Sequence, residues 1–243
     1  MQNNNIPITT LFMLMSLDGK ISSGDNDSLD VDKDWCTIEG VKEGLNQYYE
    51  IEQTTDLYSL NTGRVMEKIG VNTRKDIPGK SPVNFIIIDR KPHIDDNGIN
   101  YICNWVNKLF IVTNNLNHPA FNLKEKYSNL NIIFFDNEID LLVLLEKLKS
   151  DYNVERITIQ SGGTLNSEFL RKNLFNYVNI VIAPILVGGK DTATLIDGYS
   201  IKNRDELNKL KALKVVECNV LKDSYIQLKY SQNHLRLINY SPQ

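Results

Sequence analysis

Apolar residues along this chain come in two spacings. Short, nearly continuous runs of strand length recur: ITTLFMLMSL from Ile8, VNFIIID from Val83, KLFIVTN from Lys108, NIIFFD from Asn131 and YVNIVIAPIL from Tyr177. Between them lie stretches in which apolar residues return every three to four positions, most clearly in NEIDLLVLLEKLKSDY from Asn137. A run that is apolar throughout has no side to give to water, so it reads as a strand buried on both faces. A three-to-four period puts the apolar side chains on one stripe of a helix. Buried strands alternating with such helices predict an α/β fold with a mainly parallel sheet covered on both faces. The last stretch, LKVVECNVLKDSYIQLKY, carries Lys222 and Asp223 at its centre and predicts an antiparallel C-terminal hairpin, which makes the sheet mixed.

Local chemistry refines the pattern. Asp18–Gly19 turns the chain after the first strand, and residues 32–51 read as one helix. DLYSLN is a short strand feeding TGRVMEKIG, a helix closed by Gly70. The stretch 71–82, with Pro78, Gly79 and Pro82, reads as a loop, and so does DRKPHIDDNG. Pro119 marks a helix start in NHPAFNLKEKY, and Asn137 is a plausible cap for the helix that follows. No compositional break or linker divides the chain, so residues 1–243 read as a single domain.

Composition narrows the function. Apolar content of 42%, charged content of 23% and a net charge of −3 describe an ordinary soluble globular protein. The slight acidity does not support a nucleic-acid partner, which calls for a basic face. Cys36, Cys103 and Cys218 form no CxxC pair, and their odd number argues for a reducing cytoplasm over a disulfide framework. The N-terminus has no basic segment before its apolar run, so it reads as a strand and not a signal peptide. No run has the length of a membrane span; IDLLVLLEKLK is cut by Glu146 and Lys147. His93, His118 and His234 stand apart, which leaves no metal site with ligand spacing.

The chemistry concentrates in RITIQSGGTLNSEFL, from Arg156 to Leu170. Here an apolar strand ends on Ser161, Gly162 and Gly163, and Thr164 and Leu165 start a helix. A helix N-terminus offers unpaired N–H groups and the positive end of the helix dipole, so it can hold a phosphate without a lysine. A sharp strand-to-helix turn would need the same small residues, and the motif alone leaves both readings open.

Taken together and in order, SLDGKIS, LNTGRVMEKIG, QSGGTLNSEFL and APILVGGKDT resemble the dihydrofolate-reductase-like superfamily. Within it the chain is most similar to the riboflavin-biosynthesis pyrimidine reductases, a reductase domain often fused behind a deaminase. The resemblance runs from about residue 8 to residue 230. It implies a three-layer αβα fold, NADPH as hydride donor, a phosphorylated aminopyrimidine substrate and a homodimer. It also implies a cis peptide at Ser161–Gly162, where relatives carry two glycines.

Individual roles carry over by position. Ser161, Gly162, Gly163, Thr164 and Leu165 would hold the cofactor diphosphate. Gly63 and Arg64 would meet its 2′-phosphate, for which a guanidinium is suited by paired charge-assisted bonds. Arg90, in Asp89-Arg90-Lys91, would flank the adenosine end, where Asp89 is repulsive. Backbone groups near Leu14 and Ile21 would hold the nicotinamide carboxamide. Asp18 is the candidate proton source, with Asp-Gly turn chemistry as the alternative. Lys20 and Arg74 are candidates for the substrate phosphate. The acidic Asp-Asp-Pro stretch that precedes the phosphate arginine in the family is replaced by Lys68, Ile69 and Gly70. Gln160 stands where many relatives have glutamate. Gly188 and Gly189 form a loop near the substrate, or a plain turn capped by Asp191 and Thr192.

The expected reaction is hydride transfer to C1′ of a ribosylamine held as its open imine, giving a ribitylamine. Two other readings remain. One is dihydrofolate reductase or another small-molecule NADPH reductase; VDKDWCTIEG offers Asp34 and Trp35 but not the folate-reductase pattern. The other is a nucleotide-binding protein without catalysis on the same fold. A fused deaminase is disfavoured because the H-x-E and P-C-x-x-C pattern is missing.

Overall fold

The computed structural model describes residues 5–76 and 79–232. Among these are nine strands: β1 (Ile8–Ser16), β2 (Tyr58–Thr62), β3 (Asn84–Ile88), β4 (Lys108–Thr113), β5 (Leu130–Phe134), β6 (Arg156–Ile159), β7 (Tyr177–Ala183), β8 (Lys214–Val220) and β9 (Ile226–Ser231). They form one sheet in the order β5-β4-β3-β2-β6-β1-β7-β9-β8. The first seven run parallel, and β9 is antiparallel to both β7 and β8. The hairpin therefore folds back so that its second strand joins the sheet and its first becomes the edge.

Helices cover both faces. They are α1 (Val31–Asp34), α2 (Asn46–Glu52), α3 (Gly63–Lys68), α4 (Asp96–Trp105), α5 (Ala120–Leu123), α6 (Leu141–Tyr152) and α7 (Gly163–Arg171). Alternate strand residues divide between the layers. Ile86, Ile88, Phe110 and Val112 pack with Leu144, Leu148 and Phe169 of α6 and α7. Phe85, Ile87, Leu109 and Ile111 pack with Ile99, Ile102 and Ala120 of α4 and α5. Phe12 and Leu14 of β1 meet Trp35, Leu45 and Tyr48 on the second face. The runs that were apolar on every position are those that need cover on both sides, and the three-layer αβα architecture follows.

Three local expectations change. Residues 32–51 are not one helix: α1, a 3-10 turn at Trp35–Thr37 and α2 are separated by irregular chain. Ile38 is extended (φ −91°, ψ 120°) and ends the 3-10 turn, and Gly40 beyond it sits at φ +83°, a left-handed backbone. A Cβ at Gly44 would fall 2.6 Å from the Tyr225 ring, so a glycine there lets that ring pack against the backbone. The cap of α6 is Asp140, not Asn137; its carboxylate accepts from Leu142 N at 2.7 Å and Val143 N at 3.3 Å. Ile139 is buried in the same core cluster as Leu144, so the chain stays extended until Asp140 in the manner of a hydrophobic staple. Helix α4 begins within the stretch read as a loop, because Asp95 caps it by accepting from Gly98 N at 2.8 Å. Pro78 and His234 lie outside the described residues. Among the described residues no helix is long and apolar enough to cross a membrane.

Candidate active site

The carboxyl ends of β1, β2, β3 and β6 open onto one cleft of about 1050 Å³, lined by Leu14, Asn61, Ile88 and Gln160 among others. This is where an open parallel sheet collects ligands.

Helix α7 points its N-terminus at the cleft. Gly162 is the N-cap, with extended backbone (φ −69°, ψ 158°) and no side chain to cap the helix. The first intrahelical bond runs from Asn166 N to Gly162 O. The N–H groups of Gly163, Thr164 and Leu165 precede that ladder, and all three residues line the cleft. A Cβ at Gly162 would meet nothing within 4 Å, whereas one at Gly163 would lie 2.2 Å from the Thr194 carbonyl. The two glycines thus divide the two roles the sequence allowed: Gly162 leaves the corner open, and Gly163 admits the 193–197 segment. Asn166, absent from the sequence reading, holds the turn. It accepts from Ser161 Oγ at 2.7 Å and donates to Ser161 O at 3.0 Å and to Leu195 O at 2.9 Å. The peptide bonds of the described residues are all trans, Ser161–Gly162 included. With Ser161 O held by Asn166 and Gly162 extended, the turn closes in the trans form, contrary to expectation.

The other predicted residues divide between cleft and scaffold. Leu14, Ile21, Arg64, Arg90, Gln160, Ser161 and the α7 corner line the cleft, while Gly63, Asp18, Lys20 and Arg74 do not. Asp18 accepts from Ser16 Oγ at 2.6 Å, Gly188 N at 2.7 Å and Val187 N at 3.1 Å. The Ser16 hydroxyl, then those backbone donors, draw its carboxyl down to about 2. Lys20 is buried and donates to Gly189 O at 2.6 Å and Thr192 O at 3.0 Å, so its charge is spent on joining two loops. Ile21 N donates to Ala193 O. Arg74 turns onto α4, donating to the Tyr101 hydroxyl at 3.0 Å with its guanidinium 5.4 Å from the ring centre.

Arg64 is exposed and forks onto Asp27, with Nη2–Oδ1 at 3.0 Å. Arg90 pairs with Glu168 at 3.4 Å. Asp89 lines the cleft too, with its carboxylate held by other groups. It is buried beneath Gly63, where a Cβ would fall 2.2 Å from its carboxyl carbon. His93 Nδ1 at 2.9 Å, His118 Nε2 at 3.1 Å and the N–H groups of His93 and Ile94 surround its oxygens. Among the described residues no group of His, Cys, Asp and Glu could hold a metal ion.

Two carboxyls that sequence reading missed, Asp32 and Glu52, also line the cleft. Burial pushes the pKa of each up. Tyr49 donates to Asp32 Oδ1 at 2.6 Å. Glu52 accepts from Gln160 Nε2, and Gln160 Oε1 accepts from Ser59 Oγ at 2.8 Å. Nothing local marks these residues, because only the fold brings α1, the end of α2 and the end of β6 to one cleft.

The RibD C-terminal domain family matches residues 7–223. The chain belongs to that family. It is 26% identical over 201 residues to the 2,5-diamino-6-ribosylamino-4(3H)-pyrimidinone 5′-phosphate reductase of Methanothermobacter thermautotrophicus, covering 80% of this chain and 86% of that protein. It is 23% identical over 214 residues to the riboflavin biosynthesis protein RibD of Bacillus amyloliquefaciens, covering 87% of this chain but 55% of that one. Among solved structures, RibD of Acinetobacter baumannii superposes with a TM-score of 0.65 at 16% identity, over 94% of this chain and 59% of that one. The riboflavin biosynthesis reductase Rib7 of Saccharomyces cerevisiae superposes with a TM-score of 0.61 at 16% identity, over 96% and 93%. The chain therefore spans little more than half of these RibD proteins, and most of the two reductases. Within this family the chain is an oxidoreductase, and the folate-reductase and non-catalytic readings fall away.

Proposed function

We propose that this protein is an NADPH-dependent reductase of riboflavin biosynthesis. It converts the ribosylamino group of a phosphorylated aminopyrimidine to ribitylamino. The substrate is 2,5-diamino-6-ribosylamino-4(3H)-pyrimidinone 5′-phosphate or 5-amino-6-(5-phosphoribosylamino)uracil. The observation that carries this is the open α7 corner in a chain matched by the reductase family over residues 7–223. Three first-turn N–H groups around a glycine with free space beside it fit a diphosphate. Ser161, Gly162, Gly163, Thr164 and Leu165 would hold that group. Gly63, Arg64 and Arg90 would lie toward the adenosine end, and Leu14 and Ile21 toward the nicotinamide, which supplies the hydride when bound. Gln160 would face the substrate. Arg64 reaches a 2′-phosphate only by exchanging or sharing Asp27, an exposed pair worth little on its own.

The protein would act as a homodimer. Edge strand β8 presents Val215, Val216 and Val220 to solvent, and an apolar open edge is the kind of surface a second copy covers. The unpaired Cys36, Cys103 and Cys218 suit a reducing cytoplasm.

The test is NADPH oxidation with each of the two pyrimidines, read by absorbance and by a product two hydrogens heavier. Turnover with one of them is expected; none with either would refute the reading. Arg64→Ala should weaken NADPH binding about tenfold, which is about 1.4 kcal/mol, and leave NADH binding unchanged by titration.

A further inference from the structure

Reducing a ribosylamine to a ribitylamine consumes a proton as well as a hydride. The hydride goes to C1′. The proton goes to the ring oxygen O4′, which has to leave C1′ as a hydroxyl before that carbon can accept the hydride. The cleft therefore needs an acid beside the reacting carbon.

We propose that Glu52 is this acid and that Gln160 is its positioning residue, an inference that rests on the reductase reading above. The geometry is a directed relay across β2, β6 and α2. Asn61 Nδ2 donates to Ser59 Oγ at 3.1 Å, and Ser59 Oγ donates to Gln160 Oε1 at 2.8 Å. That leaves Gln160 Nε2 to donate to Glu52 Oε1. Glu52 Oε2 takes no hydrogen bond from the described residues, and Glu52 lines the cleft. Among the described residues no ion pair reaches it. The titratable groups that face it are Asp32 from α1 and Tyr48 and Tyr49 from α2. Burial, the largest influence, favours the protonated carboxyl, as does the Asp32 charge; the hydrogen bond from Gln160 acts the other way, and the net direction is up.

The other acids in reach are worse placed. Burial raises the Asp32 carboxyl as it does Glu52, but Asp32 has the Tyr49 hydroxyl on Oδ1 and Lys68 and Lys33 near, and all three work toward its ionised form. Asp18 is ionised above a pH of about 2 and does not line the cleft. Burial raises the Tyr48 and Tyr49 phenols far out of the working range. His93, the one histidine lining the cleft among the described residues, is tied to Asp89 at the end of β3.

The step balances as follows. The Glu52 O–H bond breaks and O4′–H forms while C1′–O4′ breaks and the nitrogen lone pair makes C1′=N. The nicotinamide nucleotide, when bound, would supply the hydride that forms C1′–H and reduces C1′ by two electrons. The Glu52 carboxylate that remains accepts from Gln160 Nε2 until solvent in the cleft returns a proton.

Two measurements test this. The first is kcat against pH for wild type, Glu52→Gln and Glu52→Asp. Wild-type kcat should fall on an alkaline limb. Glu52→Gln should lose about 100-fold or more in kcat with little change in KM, and its alkaline limb should vanish. Glu52→Asp should keep the limb at reduced rate. The second uses no cofactor: interconversion of the substrate's α and β anomers, which passes through the ring-opened imine, is followed by NMR. Wild type should accelerate it and Glu52→Gln should not. A Glu52→Gln enzyme with wild-type kcat and pH profile would overturn the proposal. If wild type speeds anomer exchange but oxidises no NADPH, the reductase reading fails and the acid assignment stands; if it does neither, both fail.

Discussion

A carboxyl that folding carries away from water holds its proton more tightly, and Glu52 and Asp32 are two such groups. Their folded pKa values lie above the unfolded ones, so the native state keeps protons that the unfolded chain releases. The resulting contribution to stability is complete below the unfolded values of 3.8 and 4.5 and is lost as pH rises through the folded ones. Glu52→Gln should therefore gain in melting temperature relative to wild type as pH is raised from 5 to 8; a constant difference would show that Glu52 is not shifted. At the α7 corner the two glycines predict opposite outcomes. Gly163→Ala drives a methyl into the Thr194 carbonyl and should cost about 1–3 kcal/mol by denaturant melting. Gly162→Ala meets no protein atom and should fold as wild type, yet titrate nicotinamide nucleotide more weakly because the methyl stands in the open corner.

Asp89 shows how one side chain joins elements. It leaves the end of β3, lies under the first residue of α3, and receives donors from the His93–Ile94 segment before α4 and from His118 before α5. Asp89→Ala would leave several of those donors buried without an acceptor, each about 1–3 kcal/mol. The variant should melt well below wild type and expose α3 and α4 to hydrogen exchange together; a loss confined to one helix would contradict the link. The sequence made Asp89 a repulsive charge at a strand end. In the fold its carboxylate takes donors from His93, Ile94 and His118, the last remote in sequence, while Asp89 still lines the cleft. Arg74 and Lys20 take partners that no local pattern shows, Tyr101 in one case and two backbone carbonyls in the other.

Nine strands in one sheet leave two edges, and the β8 edge is the apolar one, with Val216 59% exposed and Val220 82% exposed. A lysine on an edge strand blocks pairing with another chain. Val216→Lys should convert a dimer to a monomer in light scattering with the monomer's melting behaviour retained; a wild-type monomer would dismiss the dimer outright.

The order of elements, the parallel sheet, the C-terminal hairpin and the Ser161–Gly163 corner were legible in the chain because each is written in neighbours: a run, a period, a turn pair. Proximity between distant segments was not. The packing of Tyr225 on Gly44 joins segments far apart in sequence, and the Asp140 cap goes with the burial of Ile139. The acid–amide pair of Glu52 and Gln160 spans 108 positions. Hydrophobic spacing is a local property that fixes which residues face inward. Hydrogen-bond partners, burial and the proton affinity they set belong to the packed molecule, and tertiary structure alone decided them.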